Sequence, residues 1–390
     1  MKGIPGFKID KWVQEYGPKS QISLHSSVIS PISLRELQKL APEESQAAID
    51  YDLPLNYGPV QGSVKLRQRI AELHSSPKVQ LTEENVIITT GSILANYLVL
   101  TSICGEGDHV ICQYPTYGQL YALPRFVGAE VDMWEMRAEN QWIPSVEELA
   151  AMIKPNTKAI ILNNPSNPTG TVLPEAVLEN IVKLAEKHNI LLFSDEVFAP
   201  LFHSSVTAPP LISLGYPKTI ATGSVSKAQG LAGVRVGWIV SPDRALIEQA
   251  MTLRDYTTIS VSQLDQSVAN FALSPALLPK LMERNLAVCQ RTIGMLDEFI
   301  KSNSIRCEWV KPAGAGTAFV RILQRDGQPV DEVKFAAGFV QKFGVSVVPG
   351  GYCFSQDGSD DFKGYIRVAL GDEQKLRDAL PLLQQFLGTE

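Results

Sequence analysis

Six short, mostly apolar runs, separated by longer segments of helical spacing, restrict what this 390-residue chain can fold into. They are VIITT at 86–90, HVICQ at 109–113, KAIIL at 158–162, ILLFS at 190–194, TIAT at 219–222 and VGWIV at 236–240. Runs that are apolar throughout read as strands buried on both faces. Between two of them, residues 174–188 carry Val177, Leu178, Ile181, Val182 and Leu184 at helical spacing behind a proline start. Residues 93–103 read as another helix. Strands alternating with helices in this way predict an α/β fold around a mainly parallel sheet covered on both faces.

Further along, residues 276–301 read as a long helix leading into a second unit. There, 316–323, 345–348 and 365–370 read as strands and 373–387 as a closing helix. The expected organisation is an N-terminal segment (1–45) that joins a smaller α+β domain (286–390), with a large domain (46–285) between them. A net charge of −6 without basic runs argues against nucleic-acid or membrane-surface partners. No run is apolar enough to span a bilayer, and the opening MKGIPGFKIDKWVQEYG lacks the apolar core of a secretion signal. The five cysteines (Cys104, Cys112, Cys289, Cys307, Cys353) are odd in number and lack C-x-x-C spacing. They read as reduced, buried thiols of a cytoplasmic protein, with neither disulfides nor a metal site.

Chemistry concentrates where these runs end. Ser224-Val-Ser-Lys227 is followed by Arg235 and several glycines. An amine, hydroxyls, a guanidinium and close-passing backbone suit a phosphorylated aldehyde. Thr90-Gly91-Ser92-Ile93 lies between a strand and a helix, where free N–H groups favour phosphate. Asp195 follows the strand at 190–194, in a place that suits either a helix cap or a carboxylate aimed from the strand's end. Arg367 sits on an apolar predicted strand, where a cation needs a partner.

These motifs, together with Asn163-Asn-Pro-Ser-Asn167-Pro-Thr-Gly170, resemble the class I/II aminotransferases across nearly the whole chain, from about Tyr57 to Arg367. That resemblance implies the fold of type I pyridoxal 5′-phosphate (PLP) enzymes, with a seven-stranded sheet. It makes Lys227 the lysine that condenses with the cofactor and Asp195 the partner of its ring nitrogen. Asn167 would bond the phenolic oxygen beside the substrate carboxylate, and Tyr117 would stack on the ring. Gly91, Ser92, Ile93, Ser224, Ser226 and Arg235 would cradle the phosphate. Tyr57 would reach the phosphate of a neighbouring subunit, which implies a homodimer. Arg367 would grip the α-carboxylate of an amino acid substrate.

Two places depart from that family pattern. Phe198 stands where the family carries a tyrosine that donates to the phenolic oxygen, and the segment 24–34, LHSSVISPISL, replaces a glycine-containing turn. Both features look like capreomycidine synthase and its relatives, PLP enzymes that eliminate a β-hydroxyl and close a ring. His25 is then a candidate acid–base group, against the alternative of a hydrogen-bonded loop histidine, and Ser26 a candidate substrate contact. Glu15 and Asp255, the latter from this or the neighbouring subunit, are further candidates for contacting a cationic side chain. Transamination is the first expectation, elimination with cyclisation the second, and an oxygen-using oxidase of basic amino acids a third. A ligand-sensing transcription regulator of the same fold would need a DNA-binding domain, which this acidic chain is not expected to carry.

Overall fold

The computed structural model describes residues 4–42, 47–49, 51–356 and 359–389. Its central sheet has seven strands: β1 (Val86–Thr89), β2 (His109–Tyr114), β3 (Glu130–Glu135), β4 (Thr157–Asn163), β5 (Leu191–Asp195), β6 (Thr219–Ser224) and β7 (Gly237–Val240). They lie in the order β1-β7-β6-β5-β4-β2-β3. All run parallel except β7, which is antiparallel to both neighbours.

Period-two alternation explains why these runs are apolar throughout. On one face Ile87, Ile239, Ile220, Phe193, Ile161 and Cys112 form a continuous core with the helices Ser92–Ser102, Gln119–Phe126 and Arg244–Arg254. On the other, Val86, Ile88 and Trp238 meet helices Val64–His74 and Gln263–Ala272, while Ile160, Leu162 and Leu192 meet Glu175–His188. Strand β3 escaped the sequence reading because it is an edge strand. It pairs only with β2, and half of its sequence EVDMWE is charged, as suits an edge.

A four-stranded antiparallel sheet forms a second unit, in the order Val348–Pro349, Tyr365–Ala369, Thr317–Ile322, Cys307–Trp309. The single strand expected at 345–348 is divided. Val345–Ser346 pairs in parallel with Ile22–Ser23, and only Val348–Pro349 enters the sheet. The helix Lys8–Tyr16 also lies here, with Ile9 and Trp12 in the core and Trp12 Nε1 donating to Val347 O at 2.8 Å. Residue 285, one expected border, falls inside the continuous helix Leu278–Ser302, and the other, at 45/46, lies outside the described residues. No described helix is long and apolar enough to cross a membrane. All five cysteines are buried and unbridged, and no group of metal-ligating side chains occurs among the described residues.

Candidate active site

Parallel strands deliver their carboxyl ends to one edge of a sheet, the usual place for a binding crevice in open α/β folds. Here that edge carries Gly91 after β1, Tyr117 after β2, Asn163 and Asn167 at and beyond the end of β4, Asp195 at the end of β5 and the 224–227 turn after β6. Tyr117, Asn163, Asn167, Asp195, Ser226 and Lys227 line a cavity of about 410 Å³, a volume suited to a small molecule, whereas Gly91 and Ser224 are not among its lining residues.

The turn holding Lys227 is built by its serines. The Ser224 hydroxyl donates to Val236 O at 2.7 Å and accepts from Ser226 N at 3.1 Å, which fixes the backbone just before the lysine. Lys227 Nζ then reaches across the cavity to Ser27 Oγ at 3.0 Å. Burial, with the charges of Arg367 and Arg235 behind it, brings the Lys227 amine down to about 8. It is therefore far easier to deprotonate than an ordinary lysine.

Asp195 is 2% exposed. One carboxylate oxygen accepts from Asn96 Nδ2 at 2.9 Å and the other from Val197 N at 3.1 Å. Asn96 is itself oriented by the Thr222 hydroxyl, which donates to Asn96 Oδ1 at 2.6 Å. Burial pushes the Asp195 carboxyl up to about 6, against the pull of those donors and of Lys227. A cationic partner in the cavity would relieve that penalty.

Arg235 and Gly91 shape the mouth. Gly91, at φ 78°, caps the helix Ser92–Ser102, and a Cβ there would stand 2.5 Å from Arg235 Nη2. Gly237 is as confined, since a Cβ there would meet the Gly91 carbonyl carbon at 2.4 Å and Ser92 N at 2.5 Å. These two glycines let a guanidinium lie directly over a helix N-terminus, a strong setting for a phosphate. Ser226 Oγ accepts from Arg235 Nη1 at 3.4 Å, and the Ser226 hydroxyl faces the same space.

Arg367 is the unusual cation. It is 3% exposed, and among the described residues it meets no carboxylate. Nη1 donates to Asn167 Oδ1 at 3.0 Å, Nη2 donates to His25 O, and Nε has no partner. Burial brings its pKa down to about 10. A buried guanidinium without a counter-ion, opening onto a cavity, is a receptor for an anion such as a carboxylate.

The cavity also gathers His25, Ser26, Ile93, Tyr117 and Phe198. The His25 ring is held by Ser346 Oγ at 2.8 Å, and burial, followed by Arg367, lowers its pKa and so favours the neutral ring. The Ser26 hydroxyl is engaged by Val28 N at 3.1 Å. Burial raises the Tyr117 phenol, whose ring meets Phe7 edge-on at 4.9 Å. Phe198 is buried and offers no hydroxyl. Tyr57 lies elsewhere and is 79% exposed. Glu15 and Asp255 do not line this cavity either, and Glu15 pairs with Lys19 at the surface.

Three polar lining residues escaped the sequence reading. Ser27 rather than Ser26 meets the lysine. Asn96 is a lone polar side chain in the apolar helix SILANYLVLTS, a signal that could have marked it. Asp10 enters from the N-terminal helix and carried no local signal.

PLP would find a complement for each of its parts here: Lys227 for the aldehyde, Asp195 for the ring nitrogen, and Arg235 with the Ser92 helix start for the phosphate. Comparison with known proteins points the same way. The sequence model of the family described as aminotransferase class I and II matches residues 32–382. The chain is 33% identical to the arginine–pyruvate transaminase of Pseudomonas aeruginosa, over 78% of this chain and 77% of that one. It is 28% identical to the capreomycidine synthase of Streptomyces vinaceus, over 90% and 87% of the two chains. The crystal structure of a PLP-dependent aminotransferase from Streptococcus suis superposes with a TM-score of 0.89 at 32% identity, covering 100% of this chain and 99% of the other.

Proposed function

The chain belongs to the class I and II aminotransferases, enzymes that depend on pyridoxal 5′-phosphate, and from that premise we propose that it exchanges the α-amino group of a free amino acid with a 2-keto acid. The observation that carries this reading is the meeting of three groups in one cavity: a lysine amine near 8, a buried aspartate and an arginine without a counter-ion. Bound PLP supplies an aldehyde for the substrate amine and a ring that accepts electrons from Cα. Asp195 keeps a proton on the ring nitrogen. Arg367 and Asn167 hold the α-carboxylate. Lys227 Nζ moves a proton between the substrate's Cα and the former aldehyde carbon. The five buried thiols fit a reducing, cytoplasmic setting.

Transfer of an isotope-labelled α-nitrogen from a donor amino acid into an acceptor 2-keto acid tests the proposal. Label in the new amino acid supports it, and label released only as ammonia refutes it. Phe198 and the relative that makes capreomycidine favour a second reading, β-elimination with cyclisation. Without a phenol donor at position 198, the cofactor's phenolic oxygen loses a proton-donating neighbour, which alters the balance between proton positions.

Arg367→Lys keeps the charge but loses the planar fork. It is expected to raise KM for the amino acid about 10- to 100-fold, the equivalent of about 1.5–3 kcal/mol for a charged hydrogen bond, with the cofactor still bound. Initial rates across substrate concentration check this, and an unchanged KM removes Arg367 from the site.

We also propose a homodimer. Tyr51, Leu55, Tyr57, Tyr256 and Ile259 are all exposed. Their two segments abut, because Gln263 Nε2 donates to Asn56 O at 2.8 Å and Arg254 donates to Val60 O. An apolar patch of this kind suits a subunit contact. Sedimentation is expected to give twice the 42.7 kDa chain mass. Tyr57→Phe is expected to weaken cofactor binding about tenfold through loss of a charged hydrogen bond. A fully active monomer at assay concentration would refute the shared site.

A further inference from the structure

Asp10 is a carboxylate in the cavity for which none of these roles has a use. The helix Lys8–Tyr16 is pinned by buried Ile9 and Trp12, so the residue between them is carried on a fixed support. Asp10 lines the cavity with Ile9 and Val13. Among the described residues, no hydrogen bond or close ion pair engages its carboxylate. Asp10 is exposed; its partial enclosure raises its pKa, and the charge of Lys227, acting through space, lowers it.

The charged groups lining the cavity are three cations, Lys227, Arg235 and Arg367, and two carboxylates, Asp195 and Asp10. In the proposed reaction Arg235 serves the phosphate, Asp195 the ring nitrogen and Arg367 the α-carboxylate. Lys227 Nζ is taken up by the proton transfer at Cα. Asp10 is then the one charged group lining the cavity to which the reaction assigns no partner. An acidic side chain would set like charges together. A neutral one covering it would take water from the carboxylate and supply no hydrogen-bond donor in its place. A guanidinium or ammonium group would supply the missing charge and hydrogen-bond donors.

We infer that Asp10 determines specificity by receiving the cationic end of the substrate side chain, which makes basic α-amino acids the preferred donors. This rests on the proposed reading of the site and names its substrate class. It also assigns the selecting carboxylate to Asp10 rather than to Glu15 or Asp255 of the same chain, which lie outside this cavity.

The test compares the PLP-loaded wild type with Asp10→Asn on L-arginine, L-lysine, L-norleucine and L-glutamate, measuring kcat/KM for conversion to the amine form of the cofactor. A second arm measures binding of δ-guanidinovalerate and caproate by calorimetry; neither has an α-amine and neither can react. The wild type is expected to favour arginine and lysine over norleucine and to discriminate against glutamate. In Asp10→Asn the arginine-to-norleucine ratio is expected to fall tenfold or more, and δ-guanidinovalerate should lose its advantage over caproate. A ratio and a binding preference that both survive the substitution overturn the assignment, as does a wild type that prefers neutral or acidic donors. If neither protein converts any amino acid, the transamination reading fails, and the calorimetric arm still decides the role of Asp10.

Discussion

Lys227→Ala is expected to lower amino-transfer turnover about 10⁴-fold, the upper range for loss of a positioned acid–base group, while PLP remains in the site. Both halves of that expectation come from the geometry. Lys227 is the one lysine lining the cavity, and its amine sits near 8 because burial and two arginines disfavour its charge. Alanine removes both the condensing amine and the group that moves the Cα proton. Arg235, the Gly91–Ser92 helix start and Asp195 all remain, and in the proposed site each would address a different part of the cofactor. Reduction with borohydride should therefore fix PLP covalently to the wild type and leave it dialysable in the variant. The sign of the pH effect follows from the lowered pKa. Lys227 is charged below about 8 and neutral above it, so covalent capture of PLP by the apoprotein should speed up as pH rises through about 8 and level off beyond. Residual turnover within tenfold of wild type would exclude Lys227 from the proton transfer.

Asp195→Asn ranks second, with an expected loss of about two to three orders of magnitude in kcat/KM. Removing one member of a buried charge pair costs about 3–5 kcal/mol. Asp195 is prepared for that pairing at the end of β5, with Asn96 and Val197 N each committed to one of its oxygens. Asparagine matches the carboxylate in shape but cannot stabilise a protonated ring nitrogen, so the ring becomes a poorer acceptor of electrons from Cα. The wild-type apoprotein provides an independent check. Its Asp195 carboxyl, pushed up to about 6, is neutral below that pH and ionised above it. PLP affinity should therefore fall as pH drops through about 6, and this dependence should be absent in Asp195→Asn. Equal kcat/KM in the two proteins would mean that Asp195 is only a turn-forming aspartate.

Much of the architecture was legible because strands buried on both faces leave a direct mark, an unbroken apolar run closing in a polar residue. The strand at 190–194 gave both its own position and that of Asp195 at its end. The edge strand β3 left no such mark, because only one neighbour and part of one face cover it. The run at 345–348 looked uniform, yet its halves serve different sheets; that division depends on the N-terminal segment, more than 300 residues earlier. The same distance hid part of the site. Ser26 and Ser27 are chemically identical neighbours, and only the tertiary fold turns the first hydroxyl to Val28 N and the second to Lys227. Asp10 carried no signal in the sequence; its place at the cavity depends on the packing of the helix Lys8–Tyr16 through Ile9 and Trp12. Phe198 was legible as a departure, because the motif around it was intact.

The most direct test of the central claim is a single-turnover spectrum of the PLP-loaded protein mixed with L-arginine and with L-norleucine, with no keto acid present. Amino transfer predicts stoichiometric conversion of the cofactor to its amine form, with one keto acid formed per site and no ammonia released. Recovery of the aldehyde form, with ammonia or a cyclised product in solution, would contradict it and place the chemistry after Cα activation on the eliminating path.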